Sequence, residues 1–349
     1  MIPGLFWPAA IRGITGQGDR ARNLERVLSR SKQSRFPGRD LTETLFQLFG
    51  IPPQPGQDLP AGAVIRFGMD GDDMDGIWAI ATPVYLLADR DRLLLIRLAP
   101  KAIPSADAEQ LVAQFNAHFI EDELSMSVMA TNQWCLKLAK EPEITTSNIE
   151  AVSGRHIEEY LPKGKGAAYW RKILNETQML FFQNELNQTD MASDKPMVNA
   201  LWVSGVGSLP ASPVVDYKAI YANHALARGL ARLSNISYSD NPDSLEGVGQ
   251  QEGDALVLMT DLHEAELNAD FEGWQQALAD TESKLEKLLQ NIDLSHDELA
   301  IYSCQGQVYN SGKRSLVFDI LKRNKSLSRL LEEFQAAGSK NNNQRFNSI

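Results

Sequence analysis

The chain has 349 residues, of which 43% are hydrophobic and 23% charged, and its formal net charge at pH 7 is −11. This balance is typical of a globular protein with two domains, or with one large domain and an insertion. The acidic charge argues against nucleic-acid binding, which needs a basic surface. No apolar run approaches the roughly 18 residues of a membrane span, and two distant cysteines form no disulfide or zinc pattern. We therefore expect a cytoplasmic protein that binds neither nucleic acid nor membrane.

The first 150 residues predict two helices followed by a separate α+β module. In chain order, the patterns predict a helix at 19–31, a helix at 41–49, a Pro/Gly linker at 52–62, strands at 77–87 and 93–98, a helix from Ser105 and a strand at 134–139. The β-β-α-β order, with a charged hairpin turn between its first two strands, predicts an inserted α+β module at 64–150.

The rest of the chain alternates strands with helices. The predicted elements are a helix at 169–187, a strand at 199–205, a helix at 217–234, a strand at 255–260, a helix at 271–291, strands at 298–304 and 316–321, and a helix at 327–335. This alternation predicts the α/β class, with a mostly parallel sheet covered by helices. Residues 1–63 and 151–337 are predicted to form a discontinuous α/β core around the insert. Residues 338–349 are predicted to be a flexible tail.

The segment Asn199–Pro210 is the first candidate for a ligand site. An apolar strand containing Trp202 ends there at Gly205 and Gly207, and glycines at a strand end allow unusual backbone angles or the close approach of another group. Ligands of open α/β sheets bind beyond the carboxyl ends of strands. Either the backbone N–H groups cradle an anion, or the segment is a tight strand exit without a ligand. The sequence favours neither interpretation.

A polar stripe on the next candidate helix adds further ligand-binding residues. Arg171, Asn175 and Gln178 recur at helical spacing on one face, and Glu176 lies on a neighbouring face. Such a stripe either reaches into a cleft or forms a structural network, and the network is the more common case.

Arg155 and His156 complete the candidate ligand-binding residues. They lie shortly before the helix that carries the polar stripe. A single histidine is more often a structural polar residue than a ligand-binding one.

Asp261 and His263 are weak candidates for metal ligands. They follow a predicted strand and lie among acidic residues, which attract cations. A catalytic metal site needs about three to six ligands, and no second cluster of histidine and aspartate accompanies this pair, so a solvated acidic loop is favoured. The acidic segment Asp70–Gly76 departs from the spacing of calcium loops and is predicted to be an exposed turn.

The segments Trp170–Met179 and Asn199–Pro210 resemble a bacterial family of regulatory proteins of the RpfE type, also described as phosphoglycerate mutase-related. More distantly, the chain is similar to archaeal-type cofactor-independent phosphoglycerate mutases of the alkaline phosphatase superfamily. That resemblance implies a parallel α/β core interrupted by an inserted α+β domain. It also implies phosphoryl transfer by two divalent metals and a serine nucleophile.

The chain departs from the catalytic pattern of that superfamily. Pro3–Phe6 stands where the resemblance implies an N-terminal Asp-Gly motif, and Ser303–Gln307 stands where it implies an Asp-His pair. Without ligands for two cations, the phosphoryl oxygens lose most of their electrostatic stabilisation.

We therefore expect a catalytically degenerate, phosphoglycerate mutase-like protein with a regulatory role and no cofactor. It is expected to bind a small anionic metabolite or a protein partner. The alternative is an active metal-dependent phosphomutase or phosphohydrolase that holds Mn²⁺ or Zn²⁺ in a reduced site at Asp261 and His263. A third hypothesis is an interaction protein that uses its acidic surface.

Overall fold

The computed structural model describes residues 1–13, 21–69, 75–99, 102–130, 132–190, 197–241, 245, 248, 253–294, 296–312 and 323–346. They form a mixed α/β fold with two compact units. We call residues 1–48, 216–224 and 236–349 the terminal unit, and residues 49–215 and 225–235 the central unit. Within the described ranges, no helix is both long enough and apolar enough to cross a membrane.

The helices and strands are numbered in chain order through both units. The helices are α1 (Pro8–Gly13), α2 (Arg22–Arg30), α3 (Leu41–Leu48), α4 (Ala61–Met69), α5 (Ser105–His118), α6 (Ile149–Val152), α7 (Ala167–Phe182), α8 (Glu185–Asp190), α9 (Ala225–Leu233), α10 (Asp261–Leu267), α11 (Phe271–Asn291) and α12 (Leu327–Phe346), with a 3₁₀ helix at Glu158–Tyr160. The strands are β1 (Lys32–Arg35), β2 (Ile77–Asp89), β3 (Arg92–Arg97), β4 (Leu124–Ala130), β5 (Gln133–Leu138), β6 (Ile144–Thr145), β7 (Lys163–Gly164), β8 (Ala200–Gly207), β9 (Tyr217–Tyr221), β10 (Ser237–Ser239), β11 (Asp254–Val257), β12 (Leu299–Tyr302) and β13 (Gln307–Ser311).

Local periodicity predicts some of these elements well and misreads others. Helix α11 has the predicted bounds, whereas residues 217–221, predicted to begin a helix, form strand β9. Aromatic and β-branched residues at Tyr217, Ile220 and Tyr221 favour a strand over a helix there. Helix α12 continues beyond the predicted end at 335. The strand predicted at 316–321 and most of the Asp70–Gly76 turn lie outside the described residues.

The central unit is built on a five-stranded antiparallel sheet organised by β2. This strand pairs with β3, β5 and β8, and β5 also pairs with β4. The mostly parallel sheet predicted for the core is wrong for β8, which pairs with β2 in antiparallel. The hairpin predicted between the first two strands of the insert is confirmed by the pairing of β2 with β3. A tight turn in which Arg90 has a φ of 58° joins β2 directly to β3, and short hairpin connections require antiparallel pairing.

Strand β8 belongs to the same sheet as the strands of the predicted insert, because Ala200–Gly207 pairs with residues 78–84 of β2. The strand that follows α7 and α8 therefore belongs to the central unit together with β2 to β5. Local sequence patterns contain no sign of this pairing, since the two strands are far apart along the chain.

The two faces of this sheet pack against different helices. Side chains alternate between faces along a strand. Ala79 and Val203 point into an apolar core that includes Phe115 of α5 and Trp170 of α7. Trp78 points to the opposite face and packs against α4, which in turn packs against α9.

The terminal unit contains two three-stranded sheets that the first residues of the chain join. Strands β10 and β11 flank β9 in parallel, whereas β12 and β1 flank β13 in antiparallel pairs. The Met1 nitrogen donates to the Val257 carbonyl at 2.5 Å, and the Ile2 N–H donates to the Tyr302 carbonyl at 3.0 Å. Residues 1–2 therefore run between the ends of β11 and β12. Among the described strands, parallel pairing is confined to β9, β10 and β11.

Carboxylates from neighbouring helices cap two helices of the terminal unit. Glu282 of α11 accepts hydrogen bonds from the N–H groups of Asn23 at 2.5 Å and Leu24 at 3.0 Å, at the start of α2. Glu25 of α2 accepts one from the Leu327 N–H at 3.0 Å, at the start of α12. The first N–H groups of a helix lack intrahelical partners, and the helix dipole favours negative charge there. These caps tie α11, α2 and α12 together.

Candidate functional site

Gly205 and Gly207 end strand β8 beside the first turn of α4. Gly205 has a φ of 64°, and a Cβ atom there would lie 2.9 Å from the Cβ atom of Ala61. A Cβ atom on Gly207 would lie 2.8 Å from the Cβ atom of Pro60. Because real side chains do not tolerate such distances, the two glycines let α4 pack directly on the strand. The geometry is that of a tight strand exit.

The N–H groups of this strand exit already have an acceptor, the carboxylate of Asp58. It accepts hydrogen bonds from Val206 N–H at 3.2 Å, from Thr146 N–H at 2.8 Å and from the Thr146 hydroxyl. Burial raises the pKa of Asp58, and the hydrogen bonds from Thr146, Val206 and Gly205 oppose the rise. An internal carboxylate thus lies where one of the two sequence interpretations places a bound anion. Sequence analysis missed Asp58 because it belongs to a Pro/Gly linker without a motif.

The side chains of Asn199 and Trp202 bind backbone groups of the central unit. The Asn199 Oδ1 atom accepts from the Leu86 N–H at 2.7 Å, and its Nδ2 atom donates to the Leu86 carbonyl at 2.9 Å. The Trp202 Nε1 atom donates to the Ser147 carbonyl at 2.8 Å. Asn199 directly precedes β8 and Trp202 lies within it, and these polar atoms stabilise the sheet.

The polar stripe of α7 faces away from the sheet. Arg171 and Asn175 are exposed and Gln178 is half-buried, and the Arg171 guanidinium donates to the Pro162 carbonyl at 3.3 Å. Helix α7 buries its opposite side on the face of the sheet that lies away from α4. The structure therefore does not bring this stripe together with Gly205 and Gly207.

Glu176 lies among charged groups at the surface. Its carboxylate is 3.8 Å from the Nε2 atom of His118 on α5 and 3.5 Å from the Nζ atom of Lys172. All three side chains are substantially exposed, so the Lys172–Glu176 ion pair contributes at most about 1 kcal/mol.

Arg155 and His156 protect the open edge of β3. The Arg155 carbonyl accepts from the Leu95 N–H at 3.0 Å, and His156 forms an isolated bridge with Leu94. The His156 Nε2 atom lies 3.0 Å from the Asp89 carboxylate at the β2–β3 turn. The contacts of Arg155 and His156 therefore stabilise the β2–β3 hairpin.

Asp261 and His263 lie in the first turn of α10 in the terminal unit. The Asp261 carboxylate is 3.3 Å from the Lys284 Nζ atom, and the His263 Nδ1 atom is 3.9 Å from the Glu266 carboxylate. Across the described part of the chain, no three His, Cys, Asp or Glu side chains form a group that could hold a metal ion. This donor set does not fit the two-metal centre that the resemblance implies.

The two segments that stand where the resemblance implies ligand motifs, Pro3–Phe6 and Ser303–Gln307, are packed into the terminal unit. Leu5 and Phe6 are buried in its apolar core, and the Gly4 carbonyl accepts a hydrogen bond from the Trp274 indole at 3.0 Å. The Ser303 hydroxyl donates to the Gln307 carbonyl at 3.2 Å. Apolar packing and internal hydrogen bonds thus fill both positions.

Trp78, which sequence analysis did not single out, lies beside Gly207 in the central sheet. The register places Gly207, Trp78, Lys137 and Ser125 in one row across β8, β2, β5 and β4. The guanidinium carbon of Arg66 is 5.4 Å from the centroid of the Trp78 ring, and the Lys137 Nζ atom is 5.2 Å from it. No sequence motif reveals this arrangement, because it depends on the register of four strands.

Comparison with known proteins gives a distant relationship. No protein-family model matches the chain. It is similar to the 2,3-bisphosphoglycerate-independent phosphoglycerate mutase of Methanosarcina barkeri (strain Fusaro / DSM 804), with 28% identity over 112 residues. The chain has weak homology to cofactor-independent phosphoglycerate mutase. The match covers 31% of this chain and 28% of the relative, so it spans little more than a quarter of the mutase's length.

Comparison with solved structures gives information about the fold and not about function. The PH0037 protein from Pyrococcus horikoshii has a TM-score of 0.51 and 13% identity, over 89% of this chain and 86% of that one. The cofactor-independent phosphoglycerate mutase from Thermoplasma acidophilum DSM 1728 covers 84% of this chain and 82% of its own, with 14% identity and a TM-score of 0.35. That second score is too low to indicate a common fold.

Proposed function

We propose that this chain is a phosphoglycerate mutase-related protein that has lost catalysis and acts as a regulatory binding protein for a small anionic metabolite. The donor set of the terminal unit carries the proposal. Asp261 contacts Lys284 and His263 contacts Glu266, and among the described residues neither belongs to a group of three or more side chains that could hold a metal ion.

The chemistry of phosphoryl transfer explains why this donor set argues against catalysis. Metal ions stabilise the developing charge by several kcal/mol, and each 1.4 kcal/mol changes a rate about tenfold. A centre with two weak ligands loses most of that stabilisation. In this proposal, the parallel strands β9, β10 and β11, with helices α10 and α11, are the retained part of an alkaline phosphatase-like core.

The central unit is the part of the chain to which we assign ligand binding. The Gly205–Gly207 exit, the Asn199 and Trp202 side chains and Asp58 hold strand β8 and the start of α4 in one fixed arrangement. A preformed arrangement of this kind lowers the entropy cost of binding. A protein partner is the alternative occupant of this unit.

The proposal is tested by measuring metal content, turnover and binding on the same protein. The full chain is dialysed against Mn²⁺ or Zn²⁺, its metal content is measured, and it is incubated with 3-phosphoglycerate. We expect less than one metal per chain, no isomerisation or release of phosphate, and saturable binding of 3-phosphoglycerate by calorimetry. Stoichiometric metal that is lost in Asp261→Asn and His263→Gln, together with turnover, would contradict the proposal and favour an active phosphomutase or phosphohydrolase.

A further inference from the structure

The outer face of α2 in the terminal unit carries a row of three arginines. Arg22, Arg26 and Arg30 follow one another at a spacing of four residues, so they lie along one side of the helix. Arg22 and Arg26 are exposed, and Arg30 is half-buried. We call these three residues the basic row. At a rise of 1.5 Å per residue, the row is about 12 Å long.

The basic row has no counter-ion among the described residues. Arg26 donates to the side-chain oxygen of Asn23 at 2.9 Å, and within the described ranges none of the three arginines takes part in an ion pair. Carboxylates are not scarce, since the chain has 45 acidic and 34 basic residues. Three positive charges therefore remain on one helix face of a chain whose net charge is −11.

Acidic side chains of the two helices beside α2 have other partners. Glu282 of α11 accepts from the N–H groups of Asn23 and Leu24 at the start of α2. Glu333 of α12 lies 2.7 Å from the Lys325 Nζ atom. The contacts with Glu282 also hold α2 in place, so the basic row is presented on a fixed backbone. A fixed surface lowers the entropy cost of binding a partner.

Arg30 gives an independent indication that an acceptor is missing. Its Nε atom is buried and has no hydrogen-bond partner in the described part of the chain. A guanidinium group has donors only, and a buried charged donor without an acceptor is costly, so native structures rarely contain one. A carboxylate that reaches Arg30 removes this cost.

We propose that the basic row is a docking surface for an acidic α-helix of a partner protein. Glutamates four residues apart on such a helix have the same spacing as the three arginines, so three ion pairs form together when the helices lie side by side. Guanidinium groups match carboxylates with two parallel hydrogen bonds. This inference goes beyond the proposed function and does not depend on it.

The charge of the whole chain favours a helix over a larger polyanion. A nucleic-acid duplex or an anionic membrane extends well beyond the length of the row and meets the acidic remainder of the chain, whose net charge is −11. A single helix contacts the basic row alone, and charges farther away than about 8 Å are largely screened at physiological salt.

The test measures binding of a labelled acidic peptide to the full chain by fluorescence anisotropy. The probe is an alanine-rich helical peptide with glutamate at every fourth position, and its helicity is checked by circular dichroism. We expect saturable binding that weakens as salt is added. The same peptide with glutamine in place of glutamate should not bind. An isomer whose glutamates are five residues apart, and thus spread around the helix, should bind more weakly, whereas equal binding would overturn the match of spacing.

Charge-neutral variants locate the surface. The double variant Arg22→Gln with Arg26→Gln is expected to weaken peptide binding about fivefold or more, because each exposed ion pair changes an affinity about two- to fivefold. Arg30→Gln should weaken it as well. Glutamine is a good helix former, so α2 is retained in these variants. The matched control, Lys218→Gln with Lys287→Gln, removes two charges at exposed positions of the same unit and should bind like the wild type.

The remaining outcomes would overturn the inference. They are absence of peptide binding by the wild type, undiminished binding in the double variant, and an equal loss in the control. Tighter binding of an oligonucleotide or of phosphatidylserine vesicles, lost in the same double variant, would assign the basic row to another class of partner. Binding and turnover of 3-phosphoglycerate are measured without the peptide, so failure of the proposed function is seen separately.

Discussion

Replacing Asp58 by alanine removes the acceptor that the strand exit uses. The carboxylate joins three segments of the central unit: the linker before α4, the residues after β6 and the end of β8. Thr146 and Val206 donate to it. In Asp58→Ala these donors remain buried without a partner, since the surrounding backbone is held by the sheet.

The cost of Asp58→Ala can be worked from these contacts. A hydrogen bond to a charged group contributes about 1.5–3 kcal/mol, but burial already disfavours the ionised form of Asp58, as its raised pKa indicates. We therefore expect the free energy of unfolding to fall by about 2–4 kcal/mol, which is less than the sum of the separate hydrogen bonds. For a unit of this size, each kcal/mol lowers the melting temperature by about 2–4 °C, so the expected shift is about 5–15 °C.

The raised pKa of Asp58 also predicts the direction of a pH effect. The unfolded chain releases this proton near the ordinary aspartate value of about 4, before the folded chain does. Stability therefore falls as the pH rises through the folded-state pKa. We expect wild type to lose stability relative to Asp58→Asn as the pH rises above about 4.

Calorimetric melting and urea unfolding measure both effects. Asp75→Ala, at an exposed aspartate of the same unit, is the matched control and should leave the melting temperature almost unchanged. An Asp58→Ala shift as small as the control, or a pH dependence of opposite sign, would refute the reasoning that Asp58 is the internal ligand of the strand exit.

Three further substitutions test the fold by urea unfolding. Gly229→Ala places a Cβ atom 2.1 Å from the Val64 carbonyl oxygen, so we expect a loss of about 1–3 kcal/mol; an unchanged midpoint would show that α4 and α9 pack less closely than described. Asn199→Ala removes two hydrogen bonds to Leu86 and should cost about 1–3 kcal/mol, whereas wild-type stability would mean that these bonds are dispensable. Glu282→Gln removes the charge at the start of α2 and should cost about 0.5–1 kcal/mol, less at high salt; a loss insensitive to salt would argue against a charge effect.

Local sequence patterns predict much of the helical structure but little of the sheet topology. The apolar spacing in 271–291 is enough to define α11, because a long amphipathic helix is specified by its own residues. The pairing of β8 with β2 depends on residues far apart along the chain. The sequence of one strand does not determine which strand it pairs with. The β2–β3 hairpin follows from a local turn pattern, whereas the place of β8 in the sheet cannot be predicted from local patterns.

At the candidate site, too, local patterns predict close packing but not which residues come into contact. Two glycines at a strand end indicate close approach, and α4 is the element that approaches. The acceptor of the Val206 N–H is the carboxylate of Asp58. Local patterns could not identify it, because Asp58 is far from β8 along the chain. Likewise, Arg66, Trp78 and Lys137 have no common motif and meet only through the strand register and the position of α4.

The central claim of the proposal is that the chain binds a small anionic metabolite and does not catalyse phosphoryl transfer. Its most direct test is a ³¹P NMR time course of 3-phosphoglycerate with the full chain and added Mn²⁺ or Zn²⁺, with the metal removed by chelation before each spectrum. We expect a single unchanged phosphoester signal over many hours, together with saturable binding in the metal-free sample. The appearance of 2-phosphoglycerate or free phosphate in proportion to protein concentration would contradict the account.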